Sequence, residues 1–183
     1  MPDHFSILKD DVVQNLDVLN KNDTQLSRRN YLRSLCAYYE YVLSILQEVV
    51  TSILTDEYDL HSKNKEGIEF FRIIPLLDFT VRLDESGNYR LEPNKTPLCS
   101  MVAYTLKTYA ELVEINNPLS DKRWNDFRLT IKIRNRITHP KNANEICISD
   151  SELQLISAGW NWWTEAIQVL HDKYLADCSG MFR

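Results

Sequence analysis

Glycine and proline are scarce in this chain, at 4 and 6 in 183 residues, under half their share of average composition. A sandwich or barrel of short strands needs turn residues at regular spacing, so the scarcity argues against an all-β fold. It also removes glycine-rich phosphate cradles. The sequence carries neither nucleotide-binding glycine motif and no GxSxG elbow. Cys36, Cys99, Cys147 and Cys178 are scattered without a CxxC pair, and His4, His61, His139 and His171 have no ligand-like spacing. No metal or other cofactor is therefore expected, and the cysteines read as reduced, mostly core-filling residues. The longest apolar stretch, Tyr41 to Leu54, is broken by Gln47 and Glu48 and is too short to span a bilayer. Residues 1–14 lack an apolar segment and carry Asp3, Asp10 and Asp11, so a secretory signal is not expected and the expected location is cytoplasmic. The formal charge of −5 argues against coating nucleic acid or anionic membrane over the whole surface, but leaves room for a local basic patch.

What the chain does have is apolar residues, 44 % of the total, enough for one sizeable core in a single domain over residues 1–183. Their spacing is helical. Residues 5–20 form a first amphipathic segment, and Asp23-Thr24 offers an N-cap for a second helix running to about Thr55. Its Leu32, Leu35, Tyr39, Val42, Leu46, Val49 and Ile53 alternate steps of three and four, as in a helix facing bundle partners. Residues 57–67 read as a polar loop. Within 68–95, alternation on both sides of Asp84–Gly87 predicts a β-hairpin near 78–92. Pro97 opens a third helix, Leu98 to Ile115. Ser120 or Asp121 caps a fourth that stops near Thr138, because Pro140 disfavours helical geometry just before it. Ser149 or Ser151 caps a last helix with the stripe Leu153, Ile156, Trp160, Trp163, Ile167, Leu170 and Tyr174. The expected fold is an all-α, up-and-down bundle of about five helices with a small β-hairpin insertion.

The stretch with chemical content is Ile131-Lys-Ile-Arg-Asn-Arg-Ile-Thr-His-Pro140. Arg134, Asn135 and His139 gather a planar cation, an amide and a group titrating near neutrality at one helix end. Such a set suits metal-free phosphoryl chemistry on RNA: arginine forks onto phosphate oxygens and histidine moves the proton of a 2′-hydroxyl or of a leaving 5′-oxygen. An Arg followed by a His at the allowed spacings is expected about 0.7 times by chance in this composition. Requiring Asn directly after the Arg lowers that to about 0.05.

The motif resembles that of the HEPN superfamily, helical domains rich in ribonucleases of toxin–antitoxin, abortive-infection and CRISPR-associated systems. Their signature is R-x(4–6)-H with a polar residue, often Asn, after the Arg; here it stands as Arg134-Asn-Arg-Ile-Thr-His139. The helical layout is similar, and Arg28-Arg29-Asn-Tyr31-Leu-Arg33 followed by Glu40 looks like a pattern of some members. Identity at motif level covers six to seven residues. Members paired with a small nucleotidyltransferase antitoxin typically have Tyr two residues after the His; Lys141 stands there, which puts that subfamily in doubt. The resemblance implies a homodimer with one composite site, an RNA substrate, and an antitoxin or inhibitor protein as a further partner. In that reading Arg134, Asn135 and His139 are the catalytic group. The second reading is a HEPN-like module that binds RNA or a protein without cleaving.

Charge and periodicity add to this. Between Asp121 and Lys141 seven basic residues meet two acidic ones, so this segment carries +5 and the remainder −10. Arg128, Lys132, Arg136 and Lys141 are the candidate RNA-binding cations, with salt-sensitive binding expected; a solvated basic face is the alternative. Trp124, Phe127, Ile131 and Arg134 fall on one side of the fourth helix, and Leu129, Ile133 and Ile137 on the other. One side would face the core and the other a second subunit, or the helix is simply central to its own bundle. On the second helix Arg29, Arg33, Glu40 and Ser44 form a polar stripe in which Glu40 and Arg33 could orient Arg134 or His139; an internal ion-pair network is the alternative. Trp160, Trp162 and Trp163 read as core rather than as base-stacking residues.

Overall fold

The computed structural model describes residues 4–57, 72–77, 79–86 and 88–180. Its helices are α1 (His4–Lys21), α2 (Gln25–Glu57), α3 (Leu98–Leu112), α4 (Trp124–Thr138) and α5 (Asp150–Gly180), with strands β1 (Phe79–Leu83) and β2 (Tyr89–Pro93) between α2 and α3. The expected all-α bundle with a small hairpin is the fold. The polar loop expected at 57–67 lies almost wholly outside the described residues, as does the start of the 68–95 insertion.

Local chemistry sets the helix ends. At the start of α2, Ser27 N–H donates to Thr24 Oγ1 at 3.1 Å and Thr24 N–H donates to Ser27 Oγ at 2.8 Å. This reciprocal box satisfies two otherwise orphaned donors. Ser149 and Glu152 do the same for α5, with Ser149 N–H donating to Glu152 Oε2 at 2.9 Å and Glu152 N–H donating to Ser149 Oγ at 3.3 Å. Helix α3 stops at Leu112, three residues before the expected Ile115. Glu114 there adopts φ 55° and Ile115 N–H turns back to Ala110 O at 3.0 Å, a six-to-one closure that ends a helix.

Helix α4 packs chiefly on α5, α1 on α2, and α2 also meets α3 and α4. Where these meet, aromatic rings fill the core. Phe127 stacks on Trp163 at 5.3 Å and 11° and touches Tyr39 at 5.0 Å and Trp162 at 5.2 Å. Trp162 and Trp163 are fully buried and Trp160 is half-buried against the core, so the tryptophans pack rather than stack on bases. Each such pair contributes about 0.5–1.5 kcal/mol beyond its area.

The two apolar sides of α4 are both used within the chain. Phe127 and Ile131 are buried, and so are Ile133 and Ile137 on the other side. Leu129, on that same side, is only half-buried, so α4 is largely central to its own bundle, the second of the two arrangements expected. What α4 leaves fully exposed is polar.

Candidate active site

The site is built on the last two turns of α4 and the loop that follows. His139 closes the helix, with φ −126°, ψ 58° and its N–H donating to Asn135 O at 3.0 Å. Pro140 then prevents continuation, so the imidazole projects at the exposed helix end. The next residues are stiffened by their own bonds. Asn142 Oδ1 accepts from Asn144 N–H at 3.0 Å and Glu145 N–H at 3.3 Å, and Glu145 Oε2 accepts from Lys141 N–H at 2.9 Å.

The far end of this loop is pinned to α2. Ile148 is fully buried. Gln25 grips its backbone twice, donating to Ile148 O at 2.9 Å and accepting from Ile148 N–H at 2.8 Å. Arg28 also donates to Ile148 O, at 2.7 Å, and forks onto Asp23 at 2.6 Å while reaching Asp150 at 2.5 Å. In the sequence Arg28 stands out only as part of the family-like run, and Gln25 not at all. The one linear signal was Ile148 itself, an apolar residue closing a polar connector.

Arg134 lies half-buried beside α2. Its Nη2 donates to Glu40 Oε1 at 3.0 Å and its Nη1 to Asn135 Oδ1 at 3.1 Å. Arg134, Asn135 and Glu40 are thus one cluster. Arg33, two turns earlier on the same side of α2, is exposed and makes no hydrogen bond or ion pair among the described residues.

Arg128, Lys132, Asn135 and His139 follow one another at steps of four, three and four and are all exposed. They form a single outward stripe along α4. Arg128, Lys132 and Lys141 make no ion pair among the described residues. Arg136 is different: its guanidinium donates to Cys147 O at 2.9 Å and to Glu152 at 3.0–3.1 Å. It ties α4 to the start of α5 and is not free for a phosphate. Arg123 is likewise held by Asp121 and Glu165, each at 2.7 Å. The excess positive charge of the segment is therefore thinner in the fold than in the sequence, and it concentrates on the stripe.

Two cysteines register the local charges. Burial pushes the Cys36 thiol up from 9.0 to about 12, opposed by Arg134 and assisted by Glu40. Burial also raises Cys99, at the first turn of α3, against the pull of Arg128 and Lys132. Cys147 is exposed rather than a core filler. The Cys36 shift has a pH signature. Below pH 9 the folded and unfolded thiols are both protonated and stability does not change. Between pH 9 and 12 the native state retains a proton that the unfolded chain has released, and stability falls by up to about 1.4 kcal/mol per pH unit. Buried Tyr39, raised by desolvation, acts in the same direction. Urea unfolding at pH 8 and pH 10.5 should show this loss, and Cys36→Ala should reduce it. An equal loss in both proteins would remove Cys36 from the account.

Comparison of the chain with protein-family models, with curated proteins and with solved structures finds no match.

Proposed function

We propose that the protein is a metal-independent endoribonuclease of the HEPN type. The observation that carries the reading is the join of α4 to its loop. An arginine oriented by Glu40 and Asn135 sits little more than one turn from an exposed, backbone-fixed His139, on the same helix as the free cations Arg128 and Lys132. An open, positively lined surface suits a polymer better than a small metabolite.

In this reading RNA lies along the stripe with Arg128, Lys132 and Lys141 on its phosphates. The 2′-oxygen attacks the adjacent phosphorus while the bond from phosphorus to the 5′-oxygen breaks. His139 takes the 2′-hydroxyl proton or delivers one to the leaving oxygen, and Arg134 meets the charge building on the phosphoryl oxygens. Asn135 fixes the Arg134 fork or the phosphate itself. The product ends are a 2′,3′-cyclic phosphate and a 5′-hydroxyl. A homodimer would bring two motifs into one composite site, and the biological setting is toxin–antitoxin control or antiviral defence in the cytoplasm, with an antitoxin or inhibitor as partner.

One observation favours a second reading, in which the domain binds RNA or a protein without cleaving: Glu40 already compensates the charge of Arg134. Incubating wild type and His139→Ala with structured RNA in EDTA separates the two. Cleavage by wild type alone, with cyclic phosphate ends, supports the nuclease. Salt-sensitive binding with equal, absent cleavage supports the module, and cleavage lost on chelation sinks the metal-free mechanism.

A further inference from the structure

The β-ribbon has the least expected surface in the molecule. Its register pairs Phe79 with Pro93, Val81 with Leu91 and Leu83 with Tyr89. Directly opposed residues point to the same side of a ribbon, and so do residues two apart. Phe79, Val81, Tyr89, Leu91 and Pro93 therefore share one face, while Thr80, Arg82, Arg90 and Glu92 share the other. The apolar face is open: Phe79 is 53 % exposed, Val81 61 %, Tyr89 73 % and Leu91 62 %.

The ribbon's foot is firmly seated. Asn94 Nδ2 donates to Leu77 O at 3.0 Å and Pro75 O at 3.4 Å, and Ile73 and Leu76 of that turn enter the core. Ile74 and Leu77, from the same turn, are exposed and enlarge the apolar surface at the foot. Asp84 holds the tip by accepting from Ser86 and Asn88 N–H, each at 2.9 Å. A two-stranded ribbon with an uncovered apolar face is only marginally stable in water and needs a third layer. Here the chain holds the ribbon at both ends, and among the described residues nothing covers that face.

We infer that this face is a self-association surface, packed in a dimer against the same face of a second copy. Size is the first argument. Aromatic side chains present about 150–250 Å² each when free and aliphatic ones somewhat less, so at these exposures the ribbon face together with Ile74 and Leu77 offers on the order of 600 Å² per copy. Two copies would bury on the order of 1,200 Å², the lower bound of a stable specific interface. Such a patch also stands at the top of what a monomer ordinarily exposes. Composition is the second argument: the face carries no charge and one phenol. Interfaces that uniform belong to homodimers, whereas transient partners meet more polar surfaces. The ribbon's charges sit on the other face, where Arg82 pairs with Glu92 at 3.0 Å, so no like charges oppose the approach of a copy. Two ribbons packed face to face form a four-stranded sandwich about 10 Å deep, in which each layer covers the other.

The inference rests on the ribbon alone and not on RNA cleavage, but it bears on it. A dimer held at the ribbons would supply the second copy that the proposed composite site requires.

Sedimentation equilibrium of the full chain decides the matter. Wild type should run at twice its 21.5 kDa mass at micromolar concentration. Val81→Glu with Leu91→Glu, and separately Tyr89→Lys, should raise the dimer dissociation constant about 30-fold or more. Leu26→Glu, at an exposed apolar residue of α2 away from the ribbon, should leave it unchanged. Helical circular dichroism and melting of each variant establish that the bundle is folded. A monomeric wild type at 100-fold higher concentration overturns the proposal, and so does a folded double variant that dimerises as tightly as wild type. A monomeric ribbon variant that still cleaves RNA would keep this interface and sink the composite site; a dimer that never cleaves would keep the interface and sink the nuclease.

Discussion

Gly159→Leu should destabilise the protein by about 4 kcal/mol or more. Helices α4 and α5 approach so closely at this residue that a Cβ there would lie 2.8 Å from Thr130 Oγ1, 3.0 Å from Phe127 Cα and 3.1 Å from Phe127 N. Two of those atoms are helix backbone and cannot swing aside. The third is fixed, since Thr130 Oγ1 donates to Asp126 O at 2.9 Å. Even Gly159→Ala, which would gain about 1 kcal/mol in an unobstructed helix, should lose about 1–2 kcal/mol net by overpacking. Leucine adds three more carbons and forces the helices apart, opening the contacts of Phe127 with Trp162 and Trp163. That loss, about 4 kcal/mol or more, is a large part of a typical domain's 5–15 kcal/mol. Thermal melts followed at the helical signal measure it, with exposed Ser157→Leu on α5 expected to melt within about 2 °C of wild type. A Gly159→Leu protein that melts with wild type would mean the two helices are not in this contact.

His139→Ala should slow RNA cleavage by a factor of about 10²–10⁴, the range for losing a positioned general acid or base, while changing RNA binding less than about twofold. Arg134→Lys should cost nearly as much, because an ammonium cannot fork across phosphate oxygens or meet Glu40 and Asn135 together. Glu40→Gln is the sharper variant. An exposed ion pair of this kind adds about 0–1 kcal/mol to stability, so melting should barely move. Single-turnover cleavage should fall about tenfold if Glu40 aims Arg134, and stay constant if the pair only joins α2 to α4. The same series read by filter binding at two salt concentrations gives the module's answer, since Arg128→Ala and Lys132→Ala should each lower the salt slope by about one.

The bundle was legible because helix physics is local. Steps of three and four from Leu32 to Ile53 and from Leu153 to Tyr174 located the two longest helices. Thr24 and Ser149 supplied oxygens where orphan amides needed them, and period-two alternation located the ribbon. The motif was legible for a related reason, since Arg134, Asn135 and His139 lie within two turns of one helix. Glu40 was picked out by a polar stripe on α2, but its contact with Arg134 across 94 residues belongs to tertiary packing. What failed was inference from sums. Counting charge put Arg136 among free cations, and only the fold brings Glu152 and the Cys147 carbonyl to it. Counting apolar sides left α4 either central or facing a second subunit, and only the fold shows Ile133 and Ile137 buried within the chain. Gly159 looked like one of four unremarkable glycines until a neighbouring backbone defined its space.

The double grip of Gln25 on Ile148 joins residues 123 apart in sequence, and this bears on the order in which the protein comes into being. During synthesis α1 and α2 emerge early, yet the loop after His139 has no anchor until Ile148 has cleared the ribosome and docked under them. The early helices wait for the late loop, and without them the late loop has only its own turn bonds. A chain stopped short of residue 148 would have its arginine and histidine but no grip from α2 on the segment behind them. For a protein read as a nuclease, the site would be complete only once Ile148 has docked on α2.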